Sequence, residues 1–258
     1  MGYKKLDLEG KVGVVVGGSS GIGRTIAIGL AQGGADVVAS ARRLDLVNTV
    51  GNEIEALGRR TLRVTCDVGD RESLENLSKA CVDAFGKVDI LVNAAGISKK
   101  GPTLNFPEED WNRIIETNLT GSLRACQAFG RHMIERRYGR IINIASMASF
   151  VGLFEVAAYG ASKSGLASLT QTLAIEWAKY GICVNAIAPG YFRTPLSEKF
   201  LVGTGRGQEV IMRTPMNRFG ELEELVGAAI FLASDAASFV TGTILPVDGG
   251  VLASGVNQ

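Results

Sequence analysis

The feature that most constrains the fold of this chain is a glycine-rich turn between a short apolar run and an amphipathic helical pattern. The run Val12–Val16 leads directly into Gly17-Gly18-Ser19-Ser20-Gly21-Ile22-Gly23, and apolar residues then recur at helical spacing as far as Leu30. The glycines remove Cβ atoms from the turn, so a pyrophosphate can reach backbone N–H groups at the helix N-terminus. The segment therefore predicts a nucleotide-binding β–α unit that opens the chain.

Short apolar runs alternate with segments of helical period along the whole chain, which predicts an α/β fold. The runs are mostly continuous Val, Ile, Leu and Ala, as expected for a parallel sheet covered on both faces. The predicted strands are Val12–Val16, Asp36–Ala41, Thr61–Cys66, Ile90–Asn93, Arg140–Ala145, Cys183–Ile187 and Thr243–Val247. The predicted helices are Ile22–Gln32, Arg43–Leu57, Arg71–Phe85, Glu108–Arg136, Ala157–Lys179 and Glu221–Ala233. We therefore expect a single Rossmann-type domain, residues 1–258, with a doubly wound parallel seven-stranded sheet and helices on both faces.

The segment from about Pro195 to Pro215 fits neither period well. It carries glycines at positions 203, 205 and 207 among apolar residues. Because long loops in compact domains are usually functional, we interpret residues near 195–215 as a flexible substrate flap. A plain long loop, or a helical insertion that packs and does not move, is the alternative.

The charge balance and the scattered cysteines exclude several classes of function. Lysine and arginine total 27 against 26 acidic residues, so no basic field exists that would collect nucleic acid. The four cysteines show no C-x-x-C pairing and His132 is the one histidine, so we expect neither a metal site nor a disulfide framework. No segment has the apolar length of a signal peptide or a membrane span, so a cytoplasmic protein that does not contact membranes is expected.

Three residues have the chemistry of proton transfer. Tyr159 and Lys163 lie four apart in a predicted helix, and Ser146 precedes the tyrosine by thirteen positions. Residues four apart share a helix face, so we expect the lysine ammonium to lower the pKa of the Tyr159 phenol towards working pH. The Ser146 hydroxyl, at a strand end, could hold a substrate oxygen against that phenol, which indicates proton transfer at a carbinol oxygen. Alone, this spacing is also common on ordinary surface helices.

The end of the second predicted strand indicates which dinucleotide is bound. It carries no acid where a carboxylate would bond the ribose hydroxyls of NAD. Ala41 leaves room there and Arg42 offers a guanidinium to a 2′-phosphate, so NADP(H) is the predicted cofactor. If Arg42 and Arg43 are only solvated charges at a helix start, the choice between NAD and NADP stays open.

Further motifs follow the glycine turn in a characteristic order. They are Cys66-Asp67-Val68, Asn93-Ala94-Ala95-Gly96, Asn118, Ser146, Tyr159 with Lys163, Pro189-Gly190 with Thr194, and Val247-Asp248-Gly249-Gly250. Together the motifs resemble the short-chain dehydrogenase/reductase family over nearly the whole chain. Runs such as Phe106–Trp111 and Ala188–Thr194 are most similar to the gluconate 5-dehydrogenase and 3-oxoacyl-carrier-protein reductase-like branch.

The resemblance implies a role for each matching residue. The catalytic residues would be Asn118, Ser146, Tyr159 and Lys163. Tyr159 would be the general acid in reduction or the base in oxidation, and Asn118 would hold a water that links Lys163 to solvent. The cofactor-binding residues would be Gly17, Ser19, Ser20, Gly21, Ile22, Gly23, Arg42, Arg43, Asp67, Val68, Asn93, Ala94, Ala95, Gly96, Tyr159, Lys163, Pro189, Gly190, Phe192 and Thr194. For Asp67, an Asx turn is the structural alternative.

The substrate is expected to be a small molecule held between variable loops. These loops carry Ser98, Lys99, Lys100, Met147, Phe150, Leu153, Phe154 and the segment from Leu196 to Met212. Their apolar content favours a ketone or secondary alcohol, so our first interpretation is an NADP(H)-dependent carbonyl reductase. The alternatives are a sugar-acid oxidoreductase like gluconate 5-dehydrogenase, in which Lys99 and Lys100 would serve the acid, and a 3-oxoacyl-carrier-protein reductase. Leu153 stands where the gluconate branch is expected to have a basic residue.

Two expectations concern partners. A non-enzymatic NADPH-sensing scaffold would be expected to lose Tyr159, Lys163 or Ser146, and the chain keeps all three. The resemblance implies a homotetramer built through the long helices, and the apolar C-terminal stretch Val251-Leu252-Ala253 is consistent with spare apolar surface.

Overall fold

In the part of the chain that the structure describes, the strands form one parallel sheet of six strands in the order β2-β1-β3-β4-β5-β6, not the seven predicted. The structure is a computed structural model and describes residues 3–194 and 203–254. The strands are β1 Val12–Val16, β2 Asp36–Ser40, β3 Ile90–Asn93, β4 Gly139–Ile144, β5 Ile182–Pro189 and β6 Ile244–Val247. The order reverses between β1 and β3, and the crevice of a doubly wound sheet opens at that point.

The predicted strand Thr61–Cys66 is wrong, because this segment runs beside β2 without forming a ladder. One backbone hydrogen bond joins the segment to the β2 region, from Cys66 N–H to the Ala41 carbonyl (3.1 Å), and a second joins Val37 N–H to the carbonyl of the preceding Arg60 (3.1 Å). Between them the Ser40 hydroxyl donates to the Val64 carbonyl (2.6 Å). A side chain therefore bonds a carbonyl that a regular strand would pair with backbone, and the apolar pattern cannot reveal that substitution.

The continuous apolar runs are explained by two separate cores, one on each face of the sheet. Alternate residues of a strand point to opposite faces, so Val15 packs into one core while Val14 and Val16 pack into the other. All five residues of β1 are buried. A strand covered on both faces needs apolar side chains at every position, as the sequence indicated.

Eight α-helices lie in the described part of the chain and cover the sheet. They are α1 Gly21–Gln32, α2 Leu44–Ala56, α3 Arg71–Phe85, α4 Glu108–Ile115, α5 Gly121–Arg136, α6 Ala157–Trp177, α7 Gly205–Arg213 and α8 Val226–Ala233. The single helix predicted over Glu108–Arg136 is divided by a π-helical turn, Glu116–Thr120. The last predicted helix begins as a 3₁₀ turn, Leu222–Leu225, before α8.

The predicted flap lies partly outside the described residues, which omit 195–202. Its later part forms α7, whose N-cap Thr204 accepts a hydrogen bond from Gly207 N–H (3.0 Å). Val210 of α7 is buried against Phe219, with Tyr191 beside them. The helical alternative therefore describes residues 205–213, and the flap itself stays a prediction.

One helix contact depends on a missing side chain. A Cβ at Gly29 of α1 would lie 2.4 Å from Val226 Cγ1 of α8. We expect Gly29→Ala to lower the free energy of unfolding by about 1–3 kcal/mol through overpacking. Gly227→Ala is the matched control, since a Cβ at Gly227 meets nothing within 4 Å, and it should stabilise by up to about 1 kcal/mol through helix propensity. Urea unfolding of both variants tests this, and equal effects would contradict the contact.

Candidate active site

The glycine turn after β1 packs so closely on the turn after β3 that side chains are excluded. A Cβ at Gly17, whose φ is +84°, would lie 2.4 Å from the Ala95 nitrogen, and one at Gly23 would lie 2.2 Å from the Gly17 carbonyl oxygen. Gly21 differs, because a Cβ there would meet nothing within 4 Å. The open space at Gly21 borders the first turn of α1, whose N–H groups have no partner within the helix. The arrangement fits a dinucleotide phosphate at the start of α1.

The basic pair after β2 lies beside this turn. Arg43 Nη2 donates to Ser20 Oγ (3.3 Å), so one guanidinium reaches the residue that precedes α1. Arg42 is exposed, and within residues 3–194 and 203–254 no carboxylate pairs with it. A free guanidinium at this edge suits a phosphate on the ribose.

Asp67 and Val68 differ in their surroundings. Asp67 Oδ1 accepts a hydrogen bond from Gly69 N–H (2.9 Å), so the Asx turn is present. Val68 is buried against Gly121, where a Cβ would lie 2.8 Å from Val68 Cβ. Asp67 remains exposed beside this packed segment, so its predicted role in cofactor binding stays a prediction.

Asn93 points into a buried polar network. Its Nδ2 donates to Asn143 Oδ1 (2.8 Å), and Asn143 Nδ2 donates to Thr170 Oγ1 (2.8 Å). Asn93 and Asn143 are register partners on β3 and β4, and Thr170 lies on α6. The network therefore joins the central strands to the helix that carries Tyr159. The network brings the Asn93 side chain to no open surface, so the predicted contact of Asn93 with the cofactor stays a prediction.

Asn118 holds the turn after β3 through its side-chain amide, which acts as hydrogen-bond acceptor and as donor. Its Oδ1 accepts from Ile97 N–H (2.8 Å), and its Nδ2 donates to the Ile97 carbonyl (2.9 Å) and to Ser162 Oγ (3.0 Å). It lies in the π-helical turn, whose wider spacing turns the amide inward. A methyl group at Gly96 would contact both Asn118 Oδ1 (3.5 Å) and Lys163 Nζ (3.6 Å). The amide and the amine therefore face one small space, as a bridging water would need.

Lys163 is buried and its amine is bonded to backbone. Nζ donates to the Ile144 carbonyl at the end of β4 (2.6 Å) and lies 5.8 Å from the Tyr159 ring centroid. Removal from water lowers the pKa of Lys163 to about 8. The side chain is thus held by the strand that ends just before Ser146.

The expectation that Lys163 lowers the pKa of Tyr159 is corrected by the structure. Burial raises the pKa of Tyr159, and a hydrogen bond with the Ser146 side chain opposes that rise. Ser146 Oγ also accepts from Ala148 N–H (3.1 Å), which fixes the serine at the start of the loop after β4. The phenol therefore keeps its proton at neutral pH in the protein alone, as a general acid requires.

The residues after β5 form the far side of the crevice. Gly190 packs on Asp248, where a Cβ would lie 2.6 Å from the Asp248 Cα, and Gly190 N–H donates to the Val247 carbonyl (2.9 Å). Phe192 is buried against Gly220, and Thr194 is half-buried. A cavity of about 380 Å³ lies beside Tyr191 and Phe192 and extends to residues 246–250.

Three buried polar residues that contact the candidate site residues were not predicted from the sequence. Ser162 is fully buried, accepts from Asn118 and donates to the Tyr159 carbonyl (2.7 Å). Asn143 and Thr170 were also missed. In the sequence each of them is a polar residue at an apolar position of a strand or helix. That pattern indicates a buried polar side chain, but it does not show which residue the side chain bonds.

Burial keeps three of the four thiols in their protonated form. Burial raises the pKa of Cys66 to about 11 and the pKa values of Cys81 and Cys126 to about 12, so these thiols stay protonated and unreactive. Among the described residues, no three His, Cys, Asp or Glu side chains are grouped closely enough to hold a metal ion. Nor does any helix in residues 3–194 and 203–254 have the length and apolar character needed to cross a membrane.

A family model described as enoyl-(acyl carrier protein) reductase, a short-chain dehydrogenase model, matches residues 16–252. The chain belongs to the short-chain dehydrogenase/reductase family. The predicted family is confirmed, and with it an oxidoreductase acting on CH–OH groups.

Individual members of the family are similar to the chain over nearly its full length. A 2-dehydro-3-deoxy-D-gluconate 5-dehydrogenase from Pseudoalteromonas atlantica is 41% identical over 96% of this chain and 98% of its own. A gluconate 5-dehydrogenase from Gluconobacter oxydans is 38% identical, covering 96% of each chain. A gluconate 5-dehydrogenase from Burkholderia cenocepacia, crystallised with NADP and tartrate, superposes with a TM-score of 0.94 at 37% identity, covering 97% of this chain and 98% of that one.

We expect Ser162→Ala to slow turnover by about tenfold, since a 1 Å misplacement of a catalytic group costs about a hundredfold. The variant removes the acceptor that orients the Asn118 amide, at a stability cost of about 1 kcal/mol. Ser164→Ala is the control on the exposed side of the same helix. Steady-state kinetics beside thermal unfolding would separate the effects, and a normal kcat in Ser162→Ala would contradict the positioning role.

Proposed function

We propose that this enzyme transfers a hydride between NADP(H) and the carbonyl or carbinol carbon of a hydroxylated carboxylic acid of the sugar-acid class. The observation that carries the proposal is a lysine ammonium bonded to the loop between Ser146 and Tyr159. Lys100 Nζ lies 3.2 Å from Glu155 Oε2 in that loop. A cation at the border of the reaction centre suits a substrate with a carboxylate.

The adjacent lysine is held elsewhere. Lys99 Nζ pairs with Asp110 of α4, a carboxylate that Arg113 Nη2 also contacts (2.8 Å). These ion pairs lower the pKa of Asp110, so the carboxylate stays charged. Of the two lysines proposed for the acid, Lys100 is therefore the one we assign to substrate.

The proton chemistry follows from Tyr159 and the polar groups around it. In reduction the Tyr159 phenol donates its proton to the substrate oxygen, which the Ser146 hydroxyl also bonds. NADPH, held along the glycine turn and the end of β5, supplies the hydride when bound. Lys163 and Asn118 return a proton to the phenol through the space beside Gly96 that both face. In oxidation the proton moves in the reverse direction through the same groups, and the phenol must first lose its proton.

The relatives favour the sugar-acid alternative over our first interpretation, a carbonyl reductase. Enzymes named for gluconate or its deoxy-keto acid are 38–41% identical to this chain, and one relative was crystallised with tartrate, a hydroxy acid. The apolar ketone remains a second candidate because Phe150 and Phe154 are 49% and 73% exposed in the same loop. A 3-oxoacyl thioester is a third possibility that only turnover can separate.

NADP(H) is proposed on the free guanidinium of Arg42 and the absence of an acid at the end of β2. The Burkholderia relative was crystallised with NADP. The cytoplasmic location and the homotetramer stay predictions. Ile175 on α6 is 81% exposed, which suits a subunit contact through that helix, and sedimentation would determine the assembly.

The first test is a panel of initial rates. We expect turnover of 5-keto-D-gluconate with NADPH and of gluconate with NADP to exceed that of an aryl ketone or a 3-oxoacyl thioester. Tyr159→Phe should lose about 10²–10⁴ in kcat and keep NADPH binding, because it removes the proton donor and little else. Turnover of the aryl ketone alone would overturn the sugar-acid class. NADPH binding without turnover of any compound would favour the sensing scaffold.

The second test addresses the cofactor. Arg42→Asp should lower the preference for NADP over NAD about ten- to a hundredfold, the worth of one charged hydrogen bond. Arg131→Asp changes the net charge equally at another exposed site, on α5. The ratio of kcat/KM for the two cofactors is the measurement, and an unchanged ratio in Arg42→Asp would refute the 2′-phosphate assignment.

A further inference from the structure

Glu155 holds an unusual backbone conformation in the loop between Ser146 and Tyr159. Its φ is +61°, a region that side chains other than glycine rarely adopt. Two other non-glycine residues of the described chain share it, and each has a local reason. Arg137 (φ +53°) caps the C-terminus of α5, and Asn217 (φ +54°) is of a type that tolerates this region. Glu155 follows no helix, so its surroundings must hold it.

Those surroundings are the turn after β3. The Glu155 carbonyl accepts a hydrogen bond from Gly101 N–H (2.9 Å), while its carboxylate pairs with Lys100 (3.2 Å). Lys100 Nζ also lies 5.6 Å from the Phe154 ring centroid. One residue thus joins the two loops that border the reaction centre, through its backbone and its side chain at once.

The ion pair is of the kind that can exchange partners. The Lys100 side chain is 48% exposed and that of Glu155 is 26% exposed. Such pairs are worth little in water, so an incoming carboxylate can replace Glu155 at the ammonium. Lys99 differs, because its partner Asp110 is only 13% exposed and is shared with Arg113.

We propose that Glu155 is a specificity-determining residue that competes with the substrate carboxylate for the Lys100 ammonium. The inference rests on the proposed sugar-acid function and deepens it. In the free enzyme Glu155 neutralises Lys100. An acid substrate displaces Glu155 by placing its own carboxylate within contact distance of the ammonium, and no covalent bond is made or broken. A neutral substrate leaves the Lys100–Glu155 pair intact and gains nothing from the lysine.

The experiment compares a keto acid with its primary amide, a neutral analogue of nearly the same shape. The substrates are 5-keto-D-gluconate and 5-keto-D-gluconamide, with NADPH at saturation and low ionic strength. Glu155→Gln removes the charge and keeps the length of the side chain. Glu155→Gly removes the carboxylate and accepts the positive φ, which covers the case in which the glutamine variant folds poorly. Lys100→Met and Lys99→Met form the matched pair of lysine variants.

We expect Glu155→Gln to lower KM for the acid about two- to fivefold, the worth of an exposed ion pair, and to leave KM for the amide unchanged. The gain should shrink in 0.5 M salt, because exposed charges are screened. Lys100→Met should raise KM for the acid alone and abolish the effect of Glu155→Gln in the double variant. Lys99→Met should keep the preference of the wild type for the acid.

The outcomes separate the two proposals. If the wild type uses acid and amide equally well, the sugar-acid function fails whatever the variants do. If the wild type prefers the acid and Lys100→Met removes that preference, but Glu155→Gln and Glu155→Gly shift both substrates equally, the competition is overturned and Glu155 only positions the loop. Loss of the preference in Lys99→Met would overturn the assignment to Lys100.

Discussion

The candidate active site depends on one buried amide. Asn118 accepts from and donates to the backbone of Ile97, and it also donates to Ser162 of α6. Three separate parts of the chain are thereby held together: the turn after β3, the π-helical turn before α5, and the helix that carries Tyr159 and Lys163. A buried amide that lost these partners would be costly, so the network keeps one arrangement. Tyr159 and Lys163 are placed by this cross-link as much as by the sheet.

Much of the fold could be predicted from the sequence because each element carries a local signal. Apolar runs without alternation indicated buried parallel strands, and six of the seven predicted strands are present. The glycine turn was recognisable because Gly17 and Gly23 stand where a Cβ cannot fit. The segment Thr61–Cys66 could not be excluded in the same way, since its apolar residues do pack beside β2. The Ser40 hydroxyl bonds a carbonyl of this segment, a contact that hydrophobic periodicity does not record.

The site residues were recognisable by type and order, whereas their electrostatics were not. Spacing placed Lys163 on the same helix as Tyr159, but it could not show that the amine turns to the Ile144 carbonyl. Burial favours the neutral form of both groups, because the pKa of Lys163 falls to about 8 and the pKa of Tyr159 rises. In the protein alone the phenol is therefore protonated, which is the form that a general acid needs for reduction. Positive charge brought by an oxidised nicotinamide would favour the phenolate.

The proposed substrate contacts are the part of the site that the sequence predicts least well, since these contacts depend on pairings between loops. Lys99 and Lys100 are adjacent and chemically identical, yet one is bonded to α4 and the other to the loop before Tyr159. The difference comes from Asp110 and Glu155, residues that lie 11 and 55 positions away from their respective lysines. Glu155 itself carries no motif, and its importance becomes visible only through a positive φ and two contacts with the turn after β3. In our proposal, substrate selectivity depends on such exposed, exchangeable contacts at the border of the reaction centre.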